Sequence, residues 1–288
     1  MKPRIVMFGA IGVYSSAFSR AVAAHSELLG CVVRRPLGEG FAYWFRHQWI
    51  KQEQPSFACP LWAVAAYNEA PLYKKIHKLA PELVVSCGFP RRLPAVLAQQ
   101  AASYGAVNLH PALLPMDRGP QPLFWSFRRG DRETGVSLQV LAPALDEGDV
   151  IAQQRIAVDR GIGGAELFAR LGTLAGELLV AQMPRLLTRQ WAAQPQGASN
   201  AWARKPAHAD WEIKPEEWSA QDLWHFVRGA RAFGTAWARL ADEVYYFDDA
   251  PAAHPGVHVP GVFVVMGNEM LVRVRDGGVR LRLVSSAT

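Results

Sequence analysis

PRIVMFGAIGVYSSAFSRAVAAHSELLGCVVRR, residues 3–35, decides the fold. Its first seven residues are mostly apolar and end at Gly9, the pattern of a buried strand. SSAFSRAVAAHS (15–26) repeats apolar residues at helical spacing, with Ser15 or Ser16 placed to cap it. LGCVVRR (29–35) is a second short apolar run. Strand, helix and strand in this order favour parallel neighbours joined by a right-handed crossover.

The alternation continues along the chain. PLYKKIHKLA (71–80) reads as a helix and PELVVSCGF (81–89) as a buried strand ending at Gly88. PAVLAQQA (94–101) starts a helix on a proline, and GAVNLHP (105–111) is another strand. TGVSLQVLA (134–142), with alternating polar residues, and GDVIAQQRIAV (148–158) add two more. GGAELFARLGTLAGELLVAQMPRLLTR (163–189) has long helical periodicity. Residues 1–190 are therefore expected to form an α/β, Rossmann-like domain around a predominantly parallel sheet of about six strands. Residues 191–203, rich in Gln, Ala, Ser and Pro, read as a linker. Beyond it, SAQDLWHFVRGAR (219–231) is helical, and short strands broken by Gly, Pro and Asp follow. Residues 204–288 are expected to form a small OB-like β-barrel domain.

Composition narrows the function classes. A chain of 288 residues, half of them hydrophobic, can bury one large and one small core. No apolar run reaches about eighteen residues, so no membrane-spanning helix is expected. The N-terminal apolar run reads as a strand and not as a secretory leader. Cys31, Cys59 and Cys87 match neither a disulfide framework nor a metal-ligand spacing. A reducing, cytoplasmic setting and no metal are expected. The net charge of +6 suits an anionic ligand such as a phosphate, a folate tail or a nucleic acid. Ten Lys/Arg and eleven Asp/Glu lie at or after Arg204, so the positive excess is N-terminal.

Chemistry gathers at two places. In NLHPALLPMDRG (108–119), Asn108 and His110 are two apart on a strand and point to one face. They lie at a strand's carboxyl end, where open α/β sheets bind ligands. LDEGDV (145–150) supplies Asp146 in a Gly turn between two strands. An Asp beside a His fixes its tautomer and favours its protonated form. A nearby Asn can donate to a developing oxyanion. The same residues are compatible with a buried histidine, a turn-forming Asn and an ordinary acidic turn.

NLHPALLPMDRG, GDRETGVSLQ and LDEGDV together resemble the folate-dependent formyltransferases, whose mark is N-x-H-P-S-L-L-P followed by L-D-x-G-D. The resemblance covers most of residues 1–190. It implies 10-formyltetrahydrofolate as formyl donor, no metal, and Asn108, His110 and Asp146 as the catalytic trio. It places Phe89, Arg91 and Leu93 of CGFPRRLP (87–94), with Ala112, Leu113, Leu114 and Pro115, around the donor. It also implies a cis Leu114–Pro115 bond. Residues 203–240 and the strands after them resemble the C-terminal barrel of the methionyl-tRNA members. Ala112 stands where the family usually has Ser.

The acceptor is the open part of the resemblance. The methionyl-tRNA members carry a Gly-rich basic loop after the second strand. Here residues 36–60 are aromatic and of mixed charge, and read either as a segment burying aromatics or as a substrate-recognition insert that includes Tyr43 and Trp44. Arg118 faces an anionic acceptor or the folate tail, or is a solvated loop arginine. The first expectation is a small-molecule amine acceptor, of amino sugar nucleotide or hydroxyornithine type. The second is methionyl-tRNA. MLVRVRDGGVRLRLV (270–284) pulls toward it, because a hairpin through Asp276-Gly277-Gly278 would put Arg273, Arg275, Arg280 and Arg282 on one face that could bind RNA. The third is a 10-formyltetrahydrofolate hydrolase, or a module that binds folate or RNA without turnover.

Overall fold

The computed structural model describes residues 1–34, 54–64, 70–199, 201–256, 260–261 and 263–284. The chain divides into two compact units. The first comprises Met1–Pro120, Gly135–Ile156 and Phe168–Trp202. The second comprises Gln121–Thr134, Ala157–Leu167 and Ala203–Thr288.

The first unit is built on a seven-stranded sheet. Its strands are β1 (Arg4–Gly9), β2 (Glu27–Arg34), β3 (Leu61–Val64), β4 (Leu83–Cys87), β5 (Ala106–His110), β6 (Glu133–Val140) and β7 (Val150–Ala157), in the order β3-β2-β1-β4-β5-β6-β7. The pairs β1–β2, β1–β4, β2–β3 and β4–β5 are parallel, whereas β6 runs antiparallel to β5. The α/β sheet is mostly parallel, as the alternation of elements requires. β1 and β4 are buried from Ile5 to Phe8 and from Leu83 to Cys87, which explains their unbroken apolar runs. Helices α1 (Val13–Ala23), α2 (Ala70–Lys78) and α3 (Ala95–Gln100) connect these strands.

The start of α1 differs from expectation. The helix begins after Gly12, with no side-chain cap. Ser15 is instead buried inside the first turn. Its hydroxyl donates to the Cys87 carbonyl at 2.7 Å and accepts from the Ala10 N–H at 3.1 Å. A serine that ties the end of β4 to the turn after β1 is not available as a helix cap. The long helix α5 (Gly164–Leu187) carries Gly172 and Gly176, where a Cβ would meet the Tyr14 carbonyl at 2.3 Å and the Ala21 methyl at 2.4 Å. Backbone contact with α1 at that spacing needs glycine.

The second unit contains α4 (Pro122–Arg129), which the sequence reading passed over, and α6 (Ala220–Ala230). α4 opens on Pro122 and ends on Gly130 in a left-handed conformation, φ 71°. Phe124 packs against Trp211 and Phe226, and Phe127 crosses Gly229, whose missing side chain leaves room for the ring. Strands β8 (Ala236–Leu240), β9 (Glu243–Pro255), β10 (Phe263–Met266), β11 (Glu269–Val274) and β12 (Gly277–Leu283) form an antiparallel sheet in the order β10-β11-β12-β9-β8.

The β11–β12 hairpin turns at Arg275–Asp276, because Gly277 and Gly278 already pair with Val274 and Arg273. This corrects the expected turn through Asp276-Gly277-Gly278. Arg275 bonds the Trp218 carbonyl from its backbone N–H and its Nε. Arg280 lies 3.7 Å from Glu269. The Asp249 carboxylate gathers Arg282 at 3.3 Å, Arg228 at 3.7 Å and Arg231 at 3.8 Å. Of the four arginines expected to form an open basic face, Arg280 and Arg282 thus have acidic partners and Arg275 is tied to a backbone carbonyl.

Candidate active site

The register between β5 and β6 assembles the first half of the site. Asn108 is opposite Gln139, and His110 is opposite Ser137. Alternation along both strands sends these four side chains to one face of the sheet. Ser137 and Gln139 are fully buried, so the polar alternation in SLQ marks a lined interior.

The turn after β6 supplies the carboxylate. Asp146 has a left-handed backbone, φ 55°, which aims its side chain back at β5. Its Oδ1 accepts from Asn108 Nδ2 at 3.2 Å and from Gln139 Nε2 at 3.4 Å. The same oxygen lies 3.5 Å from His110 Nδ1. Its Oδ2 accepts from the Gly119 N–H at 3.0 Å. His110 Nε2 is 2.7 Å from the Asp117 carbonyl oxygen. A carbonyl can only accept, so Nε2 carries a proton and Nδ1 is the nitrogen turned to Asp146. His110 and Asp146 are 5% and 9% exposed, a setting that strengthens their interaction.

This arrangement can stabilise an oxyanion and move a proton. Among the described residues, no activated nucleophile stands beside it. Ser137 donates to the Ala112 carbonyl at 2.6 Å and accepts from the Leu114 N–H at 2.9 Å. Burial pushes the Cys87 thiol well above its ordinary range, which keeps it protonated. Among the described residues, no group of three or more His, Cys, Asp or Glu could hold a metal ion.

The other expected site residues divide into three groups. CGFPRRLP and ALLP leave the carboxyl ends of β4 and β5, which are adjacent and parallel. Phe89 and Leu113 are half-buried, with Phe89 edge-on to Phe8, and Arg91 is exposed. These suit a planar apolar ring with a charged tail. Leu93, Ala112 and Leu114 are buried, and Leu93 belongs to the hydrophobic core. The Leu114–Pro115 bond is cis, as the resemblance implied. Arg118 donates to Gln196 Oε1 at 2.8 Å and to the Gly197 carbonyl at 3.0 Å. Tyr43 and Trp44 lie outside the described residues, as does most of the 36–60 stretch.

Sequence reasoning missed Gln139, Gln153 and Gln196. Gln153 Nε2 reaches the Leu114 carbonyl and Ser137 Oγ, both at 2.7 Å, and braces the ALLP turn. Gln196 comes from the segment read as a linker. That segment is pinned to β7 by reciprocal backbone bonds between Gln194 and Val150, at 2.8 and 2.9 Å.

With this geometry in place, the comparisons with known proteins are informative. The formyl transferase family pattern matches residues 47–183. A methionyl-tRNA formyltransferase of Lactiplantibacillus plantarum is 26% identical over 269 residues, covering 90% of this chain and 83% of that protein. An N-formyltransferase from Helicobacter canadensis, solved with folinic acid and dTDP-3-aminofucose, shares the fold with a TM-score of 0.67 at 9% identity, covering 98% and 99% of the two chains. HypX from Aquifex aeolicus, solved with tetrahydrofolic acid, gives 0.65 at 16% identity over 98% of this chain. The present chain spans only 44% of HypX. Residues 47–183 thus carry a formyl transferase match, and the chain is similar over most of its length to enzymes that transfer formyl groups.

Proposed function

We propose that this enzyme moves a formyl group from 10-formyltetrahydrofolate to the amine of a small molecule. The observation that carries the reading is the convergence of Asn108 and His110 within 3.5 Å of one Asp146 carboxylate oxygen. The uncharged amine attacks the formyl carbon, a C–N bond forms, and the donor's N10–C bond breaks. Asn108 Nδ2 stabilises the oxyanion, and His110 adds its charge there once it has taken the amine's proton. Asp146 and His110 take the proton that the amine loses and return one to N10, through a water where the distance requires it. Holding both reactants at one strand edge supplies much of the rate. Phe89 and Leu113 flank the donor's ring, Arg91 meets its carboxylate tail, and the backbone of Leu93, Ala112, Leu114 and Pro115 completes the cradle. Arg118 faces the acceptor only through the N–H groups not used on Gln196 and Gly197.

Residues 1–190 carry this chemistry in our reading, 191–203 connect, and 204–288 form an OB-like barrel. Three buried free thiols fit a reducing, cytoplasmic setting. Among the described residues no helix is long and apolar enough to cross a membrane.

The acid-paired arginines of the second unit favour a small acceptor over a polyanion. The likeness to methionyl-tRNA formyltransferases over most of the chain favours tRNA as the second reading. The test is tetrahydrofolate release from 10-formyltetrahydrofolate, with charged initiator tRNA in one arm and amino sugars and hydroxylated amino acids in the other. Release only with a small amine supports the first reading. Release only with tRNA overturns it, and equal release without any acceptor makes the enzyme a hydrolase.

A further inference from the structure

We propose that Gln196 is a positioning residue for formyl transfer, holding the Asp146 turn in its working conformation. The proposal rests on the formyl-transfer reading. Asp146 keeps a left-handed backbone although it is not glycine, a strained conformation that persists only where the surroundings enforce it. Beside the bonds to its carboxylate, the backbone of the turn is held by one amide. Gln196 Nε2 donates to the Asp146 carbonyl at 2.9 Å and to the Gly148 carbonyl at 2.6 Å. It also lies 3.2 Å from Gln139 Oε1. The amide therefore grips the turn on both sides of the residue whose carboxylate faces His110. It also meets Gln139, the side chain that donates to that carboxylate.

The orientation of the amide is fixed by its partners. Its Oε1 accepts from Arg118 Nε at 2.8 Å, so the NH2 end must point to the carbonyls. Arg118 also reaches the Gly197 carbonyl at 3.0 Å, and Gln194 pairs with Val150. Gln196 is thus held from its own strand and from the 118 loop at once. Glutamate cannot do the same work. It would keep the Arg118 contact but set a carboxylate oxygen against two carbonyl oxygens. Methionine keeps the length and removes both donors.

Two accounts of Gln196 differ in what they predict. A simple tether of the 191–199 segment affects stability alone. A positioning residue affects turnover through Asp146 and nothing else. Gln196→Met and Gln196→Glu are each expected to lower kcat about tenfold to a hundredfold, with KM for the donor within about twofold of wild type. In an Asp146→Ala background, Gln196→Met is expected to add no further loss. A second readout does not need turnover. The Gly119 N–H donates to Asp146 Oδ2, so its hydrogen exchange is expected to accelerate in Gln196→Met relative to β1 amides. Wild-type tetrahydrofolate release decides the formyl-transfer reading independently. Unchanged kcat in both variants of an active enzyme, or an unchanged Gly119 exchange rate, overturns the proposal. A full additional loss in the Asp146→Ala background overturns it too.

Discussion

Asn108 donates its side-chain amide to the Asp146 carboxylate at 3.2 Å, joining a strand end to a turn 38 residues later. The same Oδ1 atom faces His110 Nδ1, so the three groups share one negative centre. Asp146→Asn keeps the shape and removes the charge that a His110 imidazolium needs. Turnover is expected to fall on the order of a hundredfold or more, measured as tetrahydrofolate release at saturating acceptor. Asn108→Asp is expected to be slower than Asn108→Ala, because it sets a second carboxylate against Asp146. Equal rates for the two Asn108 variants would refute that like-charge contact.

Ser137 governs the ALLP turn by one hydroxyl. It contacts the Ala112 carbonyl, the Leu114 N–H and Gln153 Nε2 within 2.9 Å. Ser137→Ala leaves buried backbone groups unpaired, at a cost of about 1–3 kcal/mol. The turn forms part of the proposed donor cradle, so KM for 10-formyltetrahydrofolate is expected to rise more than kcat falls. Denaturant melts and steady-state kinetics measure the two effects separately. A purely structural serine would change the melt and leave KM alone.

Gly148 explains why the acidic turn contains glycine. A Cβ there would lie 1.8 Å from the Val140 carbonyl oxygen, which is backbone and cannot step aside cheaply. Gly148→Ala must therefore displace the turn that carries Asp146. Stability is expected to drop by about 1–3 kcal/mol. Turnover is expected to drop by on the order of a hundredfold, because small shifts of a catalytic group are costly. A variant with a lowered melting temperature but full kcat per folded molecule would refute the displacement.

The legible parts of the molecule were those with local patterns. Strands β1, β4 and β5 declare themselves by unbroken apolar runs, and Asn108 and His110 by their spacing at a strand end. α4 had its signals, Pro122 and Gly130, yet is only eight residues long and lies among prolines and glycines. Gln139 was visible as a polar alternation, but a buried glutamine and an exposed one look alike in sequence. Gln196 had no signature at all. Its partners are Arg118, Asp146 and Gly148, and the segment around it has linker composition. Long-range hydrogen bonds of single side chains leave no periodic trace. The hairpin turn at Arg275–Asp276 was misplaced because Gly277-Gly278 looks like a turn. At Gly278, a Cβ would instead come within 2.9 Å of Leu271 Cδ1, so the small residue fits close packing in the sheet.

His225 makes stability in the second unit depend on pH. It is fully buried, its Nδ1 accepts from the Gly161 N–H at 3.1 Å, and among the described residues its Nε2 has no hydrogen-bond partner. Burial, reinforced by the Arg160 charge, lowers its pKa from 6.5 to about 4. The folded protein thus holds the ring neutral where the unfolded chain would protonate it. Unfolding takes up a proton between those two values, so this contribution is present above pH 6.5 and is lost as pH falls toward 4. The loss is of the order of 3 kcal/mol at most. Gln in place of His225 can still accept from Gly161 and does not titrate. His225→Gln is therefore expected to flatten the fall in melting temperature between pH 6.5 and 4 relative to wild type. Parallel curves for the two proteins across that range would mean that the imidazole is protonated in the folded state.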